Sequence, residues 1–98
     1  MTNGNREVFL AADLGASSGR LVAGGFDGNR IRLEDVHRFE NGGVEVADHL
    51  YWDFLDLWKQ LQEGLSHAAT QYQQDVVSLG VDTWGVDFGL LDSNDQLL

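Results

Sequence analysis

The ten residues Ala11-Ala12-Asp13-Leu14-Gly15-Ala16-Ser17-Ser18-Gly19-Arg20 constrain the fold of this chain more than any other stretch. An apolar run, Val8-Phe9-Leu10, precedes them and a second, Leu21-Val22-Ala23, follows. Apolar runs separated by glycine and small polar residues predict a β-hairpin, with Asp13 ending the first strand and a narrow tip beyond it. Gly15 and Gly19 remove side chains where the backbone needs positive φ or close approach to another group. Ala16, Ser17 and Ser18 keep the tip slim, and the serines add hydroxyls. Backbone N–H groups converging on such a tip make a concavity for a phosphate oxyanion. Asp13 can hold a hydrated Mg²⁺, which needs only one or two carboxylates. Arg20 offers its planar fork to phosphate or substrate oxygens. The same residues also suit an ordinary turn, and without Gly-Lys-Ser/Thr the stretch is not a Walker A loop.

Charge narrows the partners. Sixteen acidic against six basic residues leave a formal charge of −10 over 98 residues. That balance argues against a nucleic-acid surface, which would carry a basic patch, and against an anionic membrane. A phosphate ligand would need Mg²⁺, local N–H dipoles or positive charge from elsewhere. With no cysteine there is no disulfide framework and no thiolate metal site. No apolar run reaches the length of a membrane span, and Met1–Glu7 contains no hydrophobic signal region, so a cytoplasmic location is expected.

Read in order, residues 7–13 predict a first strand, so continuously apolar that burial on both faces is expected. Residues 19–26 predict a second, in which Gly24-Gly25 suggests a bulge or a close neighbour. Asp27-Gly28-Asn29 is a hairpin turn signal. Residues 30–39 predict a third strand with Ile31, Leu33 and Phe39 on one face and Arg32, Glu34 and Arg38 on the other. Residues 40–50 read as a loop. Asp53 is an N-cap with Asp56 in the first turn, and Phe54, Trp58, Leu61, Leu65, Ala68 and Tyr72 recur at helical spacing. Trp58 and Tyr72 are expected in the core, Leu55 and Leu57 widen the apolar stripe, and Gly64 weakens the helix by roughly 1 kcal/mol. Val76–Val81 predicts a strand parallel to the first and beside it. Val86–Leu91 predicts a further strand before a Ser93-Asn94-Asp95 turn. Gln96-Leu97-Leu98 stands where a return strand would begin, so the chain reads as a piece of something longer.

Carboxylates at the carboxyl ends of neighbouring parallel strands sit where open α/β sheets bind ligands. Asp13, Asp82 and Asp87 are therefore the acidic candidates, with Trp84 as an apolar wall for a sugar or base and Gly85 admitting a substrate to the backbone. Each also suits a plain strand-end or rim position. His37 (outer strand), His49 (loop) and His67 (helix) have no metal-ligand spacing and read as surface or packing residues.

Three ordered blocks carry a resemblance. Ala12-Asp13-Leu14-Gly15-Ala16-Ser17-Ser18-Gly19-Arg20 resembles the N-terminal phosphate loop of the FGGY carbohydrate kinases. His37-Arg38-Phe39 with Asn41-Gly42, and Gly80-Val81-Asp82-Thr83-Trp84-Gly85-Val86-Asp87-Phe88, agree in order and spacing. The likeness is to the branch acting on the 1-hydroxyl of L-rhamnulose, and it covers the chain from Val8 onward. It implies an α/β fold: a ribonuclease-H-like, actin-like ATPase domain with an antiparallel three-strand meander, one crossover helix and a parallel strand. Residues 1–98 would be the N-terminal part of the first of two domains flanking a cleft, with the C-terminal remainder absent.

The resemblance also implies ATP and Mg²⁺. It assigns Ala16, Ser17, Ser18, Gly19 and Arg20 to the ATP phosphates, Asp13 to the metal, and Gly85 with Trp84 and Asp87 to the sugar. The catalytic base and adenosine motifs of the family lie downstream of Leu98, so no catalytic residue is expected here and the chain alone should be inert. An uncovered sheet edge and apolar face should favour self-association. Other readings stand beside this one: a kinase of another ketose or deoxy sugar, or a non-catalytic acidic protein-binding domain. An aspartyl phosphatase with Asp13 as nucleophile is disfavoured, because Gly15 stands where its second acid would be.

Overall fold

A computed structural model describes residues 7–98; the reading of Met1–Arg6 lies outside them. Val8–Leu14 (β1), Ser18–Phe26 (β2) and Ile31–Glu40 (β3) form the antiparallel meander. Val44–Val46 (β4) and His49–Tyr51 (β5) make a small separate hairpin, and Phe54–Tyr72 is the helix α1. Val76–Thr83 (β6) returns to the main sheet, whose order is β3-β2-β1-β6. β6 pairs parallel to β1, so a mixed sheet with one crossover helix is established. An αβ crossover of this kind is what a parallel neighbour requires, since two parallel strands cannot be joined by a tight turn.

One face of the sheet is covered by the helix. Val8, Leu10, Ala12, Leu21, Ala23 and Ala68 form the core, with Val36, Leu61, Leu65, Tyr72 and Val76 packed around it. The closest approach is at Gly64, which is buried. A Cβ there would lie 3.2 Å from the His37 Cβ and 3.3 Å from the Leu21 Cβ. The glycine that costs local helix propensity is therefore what lets α1 settle onto β2 and β3. Asp53 caps the helix, its Oδ1 accepting from the Asp56 N–H at 3.1 Å.

The other face is open. β1 alternates buried and accessible positions rather than being buried on both faces, with Phe9 and Ala11 turned to the uncovered side. Phe9, Ala11, Val22, Phe26, Ile31 and Leu33 line a shallow apolar hollow of about 300 Å³ there. On the helix side β6 is left uncovered: Leu79 and Val81, opposite Leu10 and Ala12, are exposed, as is Val77. The Cα radius of gyration is 16.2 Å, against about 13 Å for a compact domain of this length. The core is one-sided.

Several further expectations are corrected. Residues 40–50 are not a plain loop: β4 and β5 pair through a turn at Ala47 and Asp48, both at positive φ, without the Asn-Gly or Asp-Gly signature of such turns. The β2–β3 register shifts between Leu21 and Val22, leaving Val36 as the extra residue. That shift flips the alternation of β3, so Phe39 faces the helix side with His37 while Ile31 and Leu33 face out; Gly24-Gly25 carries no bulge. Trp58 and Leu55 are exposed because the stripe that docks is centred on Gly64 and Ala68 instead. Val86–Leu91 forms no strand. It meets the following segment only through a Leu91–Leu97 bridge, closed by Asp92 accepting from the Asn94 and Gln96 N–H groups.

Two outcomes follow from this packing. Gly64→Val should destabilise the chain by about 2 kcal/mol in urea unfolding, because overpacking at a 3.2 Å gap outweighs the helix-propensity gain. In the β2–β3 turn, Asp27 Oδ1 accepts from the Arg30 and Asn29 N–H groups, and those bonds hold its carboxyl below the ordinary 3.8. Its contribution is complete above the unfolded-state pKa and is lost as pH falls through the lowered folded value. Asp27→Asn should therefore lower stability at neutral pH and flatten the acid limb below pH 3.8, where variant and wild type converge, read from unfolding midpoints against pH.

Candidate functional site

Strand register assembles the site. Asp13 pairs with Arg20 across β1 and β2, and Arg20 pairs with Arg38 across β2 and β3. Asp13 also lies opposite Asp82 in the parallel β1–β6 ladder. Cross-strand partners share a face, so Arg38, Arg20, Asp13 and Asp82 form one row across all four strands on the side away from the helix. Arg20 Nε donates to Asp13 Oδ2 at 3.3 Å, and its Nη1 to Asp35 Oδ1 at 3.4 Å. Asp35 also accepts from Arg38 Nη1 at 2.7 Å. These side chains are all substantially accessible, so the ion pairs orient more than they stabilise.

The hairpin tip rises above this row. Gly15 N–H donates to the Ser18 carbonyl at 2.8 Å, and a Cβ on Gly15 would lie 2.8 Å from that oxygen. Gly19 has a different reason: a Cβ there would sit 2.3 Å from the Phe39 ring. Close approach, not positive φ, explains both glycines. Among the described residues the Ala16 and Ser17 N–H groups have no partner, and Ala16, Ser17 and Ser18 are all exposed. Behind the tip stands a residue whose role the sequence did not disclose. Asn41 is buried, donates through Nδ2 to the Gly15 carbonyl at 2.9 Å and through its backbone N–H to the Ser17 carbonyl at 3.0 Å. The signal was present in the Asn41-Gly42 break, but nothing in the sequence says that it reaches the tip.

Beyond β6 the chain turns through Trp84, Gly85, Val86 and Asp87 at the same end of the sheet. Trp84 stacks on Trp52, ring centroids 4.5 Å apart and planes tilted 38°. Trp52 Nε1 donates to Asp87 Oδ2 at 2.7 Å. The Trp84 indole N–H is shielded from solvent and has no hydrogen-bond partner among the described residues. Around Gly85 nothing lies within 4 Å of where a Cβ would be. Trp52 was not singled out from the sequence, since it stands 32 positions before Trp84 in a stretch without regular period.

The histidines stay outside this site. His37 Nε2 meets Gln60 Oε1 at 2.8 Å under the helix, with the His67 ring 5.5 Å away, and His49 lies in β5 rather than a loop. No group of three or more His, Cys, Asp or Glu able to cage a metal occurs among the described residues. A hydrated Mg²⁺ that brings its own waters and phosphate oxygens is compatible with Asp13, flanked by Asp82 one strand away, about 4.8 Å in the sheet direction. No helix among the described residues is long and apolar enough to cross a membrane.

Comparison with known proteins finds rhamnulokinases. A rhamnulokinase of Bacteroides thetaiotaomicron is 42% identical over 93 residues, 95% of this chain and 19% of that protein. The chain is a relative of the rhamnulokinases. Those of Oceanobacillus iheyensis and Bacillus subtilis are 43% and 36% identical over 91% and 93% of the chain. No family model matches. The chain spans 19% of the length of these rhamnulokinases.

Asn41→Ala removes the Nδ2 bond to the Gly15 carbonyl at a buried position and keeps the backbone N–H bond to the Ser17 carbonyl. The expected cost is about 1–3 kcal/mol. It should appear as faster amide exchange at Gly15 and Ser18 with little change in β6.

Proposed function

We propose that this chain supplies the phosphate loop and one edge of the sugar site of an ATP-dependent ketose kinase. The parent enzyme would transfer the γ-phosphoryl of ATP to the 1-hydroxyl of L-rhamnulose, giving L-rhamnulose 1-phosphate and ADP. The observation that carries this reading is the β1–β6 register: with Asp13 opposite Asp82, the Gly15–Gly19 tip and the Trp84–Asp87 turn open at one end of one sheet. Similarity to rhamnulokinases over nearly the whole chain supports it. On this reading residues 1–98 belong to the first domain, of ribonuclease-H-like fold, of a longer cytoplasmic protein, and the catalytic base lies in sequence beyond Leu98.

The roles follow from the chemistry of each group. The N–H groups of Ala16 and Ser17, which have no partner among the described residues, and the Ser18 hydroxyl receive phosphate oxygens beside Gly19, which is seated against the Phe39 ring. Arg20 turns from Asp13 to the phosphate while Asp35, held by Arg38, keeps its guanidinium near the loop. Mg²⁺ bound with the nucleotide supplies charge neutralisation, with Asp13 as its protein ligand. Gly85 lets the ketose reach the backbone, and Trp84 and Asp87 bound its apolar and hydroxyl sides. Orientation and neutralisation are what such a site contributes; proton removal from the 1-hydroxyl is left to a carboxylate outside this chain. The bare β6 edge and open face also favour association between copies of the chain.

Two measurements test this. With ATP, Mg²⁺ and L-rhamnulose, a coupled ADP-release assay on the chain should give no turnover above background; turnover would move the chemistry into these residues. Addition of Mg·ATP should shift the amide signals of Ala16, Ser17, Ser18 and Gly19 in NMR spectra. Tip amides that stay in place at saturating nucleotide would remove the phosphate-loop assignment.

A further inference from the structure

We propose that Trp52 is a sugar-binding residue, the platform on which the ketose lies and the donor that aims Asp87 at it. This rests on the reading of Trp84, Gly85 and Asp87 as the sugar edge, and it changes which aromatic ring meets the ligand. Trp84 is half-buried with its indole N–H sealed from solvent, and Trp52 is stacked 4.5 Å in front of it. The ring left partly open to solvent is Trp52, at 38% exposure. Trp84 therefore backs the wall, and Trp52 is its face.

The carboxylate geometry points the same way. Trp52 Nε1 occupies Asp87 Oδ2 at 2.7 Å, while Oδ1 accepts nothing from the described residues. A hydrogen-bonded, oriented carboxylate with one free oxygen beside an aromatic plane matches a polyhydroxylated ligand: hydroxyls to the oxygen, C–H face to the indole. The space beside Gly85 leaves the backbone accessible next to both. Val86, between Gly85 and Asp87, holds φ at +69°, a region β-branched residues rarely adopt. A turn kept in that conformation needs anchoring from outside, and the Trp52–Asp87 bond provides it. Trp52 itself is fixed by position, one residue before the helix cap Asp53. The platform is thus mounted at the start of α1, and the carboxylate on the turn that follows β6.

The test uses the ¹⁵N-labelled 98-residue chain, whose three tryptophans give three indole N–H signals, titrated with L-rhamnulose. The Trp52 indole and Gly85 amide signals should shift together, and that of Trp58, exposed on the helix, should not. Trp52→Phe keeps a ring against Trp84 and removes the donor; it should weaken L-rhamnulose binding about tenfold, the scale of one hydrogen bond to a charged group. Trp52→Leu, which loses the platform too, should weaken it further. Wild-type affinity in Trp52→Phe and Trp52→Leu would overturn the assignment. So would a Gly85 shift in the unmodified chain with the Trp52 indole unmoved, a result that needs no variant to fold and leaves the sugar-edge reading standing. Absence of any shift at Trp52, Trp84 and Gly85 would instead bring down the sugar edge itself, and Trp52 with it.

Discussion

Parallel pairing of β6 on β1 is the constraint on which the rest depends. The meander alone would be an ordinary three-stranded sheet with a glycine-rich turn at one end. A fourth strand laid parallel beside β1 carries its carboxyl end to the same edge, and Asp82 comes to rest opposite Asp13. That arrangement is possible only because α1 spans the sheet between them, and α1 can lie close because Gly64 presents no side chain to Leu21 and His37. Helix propensity is given up at one position so that Leu61, Leu65, Ala68 and Tyr72 can reach the core.

Strand alternation then separates the two tasks of the sheet. Along β1, Leu10, Ala12 and Leu14 are buried on the helix side, while Asp13 falls on the opposite face beside Arg20. The extra residue at Val36 does the same for β3, sending His37 and Phe39 inward and Asp35 and Arg38 outward. A row of opposite charges results on a chain whose net charge is −10. For an anion to be welcome there, positive potential must be local. Unpaired N–H groups at the tip and two arginines beside it are what this acidic molecule has available.

Much of this was legible in the chain itself. Apolar runs and turn residues placed β1, β2, β3 and β6 within a residue or two, and Asp53 marked the helix start. The parallel placement of β6 followed from connection rules, and with it the meeting of Asp13 and Asp82. The β4–β5 hairpin carries no such signature: it turns on Ala47-Asp48, residues that seldom adopt positive φ together. The strand expected at Val86–Leu91 has an apolar composition but is not laid against the sheet, bridging instead at Leu91 to Leu97, and composition cannot supply a partner.

The amino-acid sequence by itself determined the elements, the hairpin tip with its glycines, and the acidic strand ends, because each depends on neighbours a few residues away. Tertiary structure alone decided that Asn41 braces the tip, that Phe39 fills the space left by Gly19, and that Trp52 meets Trp84 and Asp87. Those contacts join residues separated by some twenty to thirty-five positions. Periodicity carries no information over such distances; only the route of the backbone through the sheet and helix does.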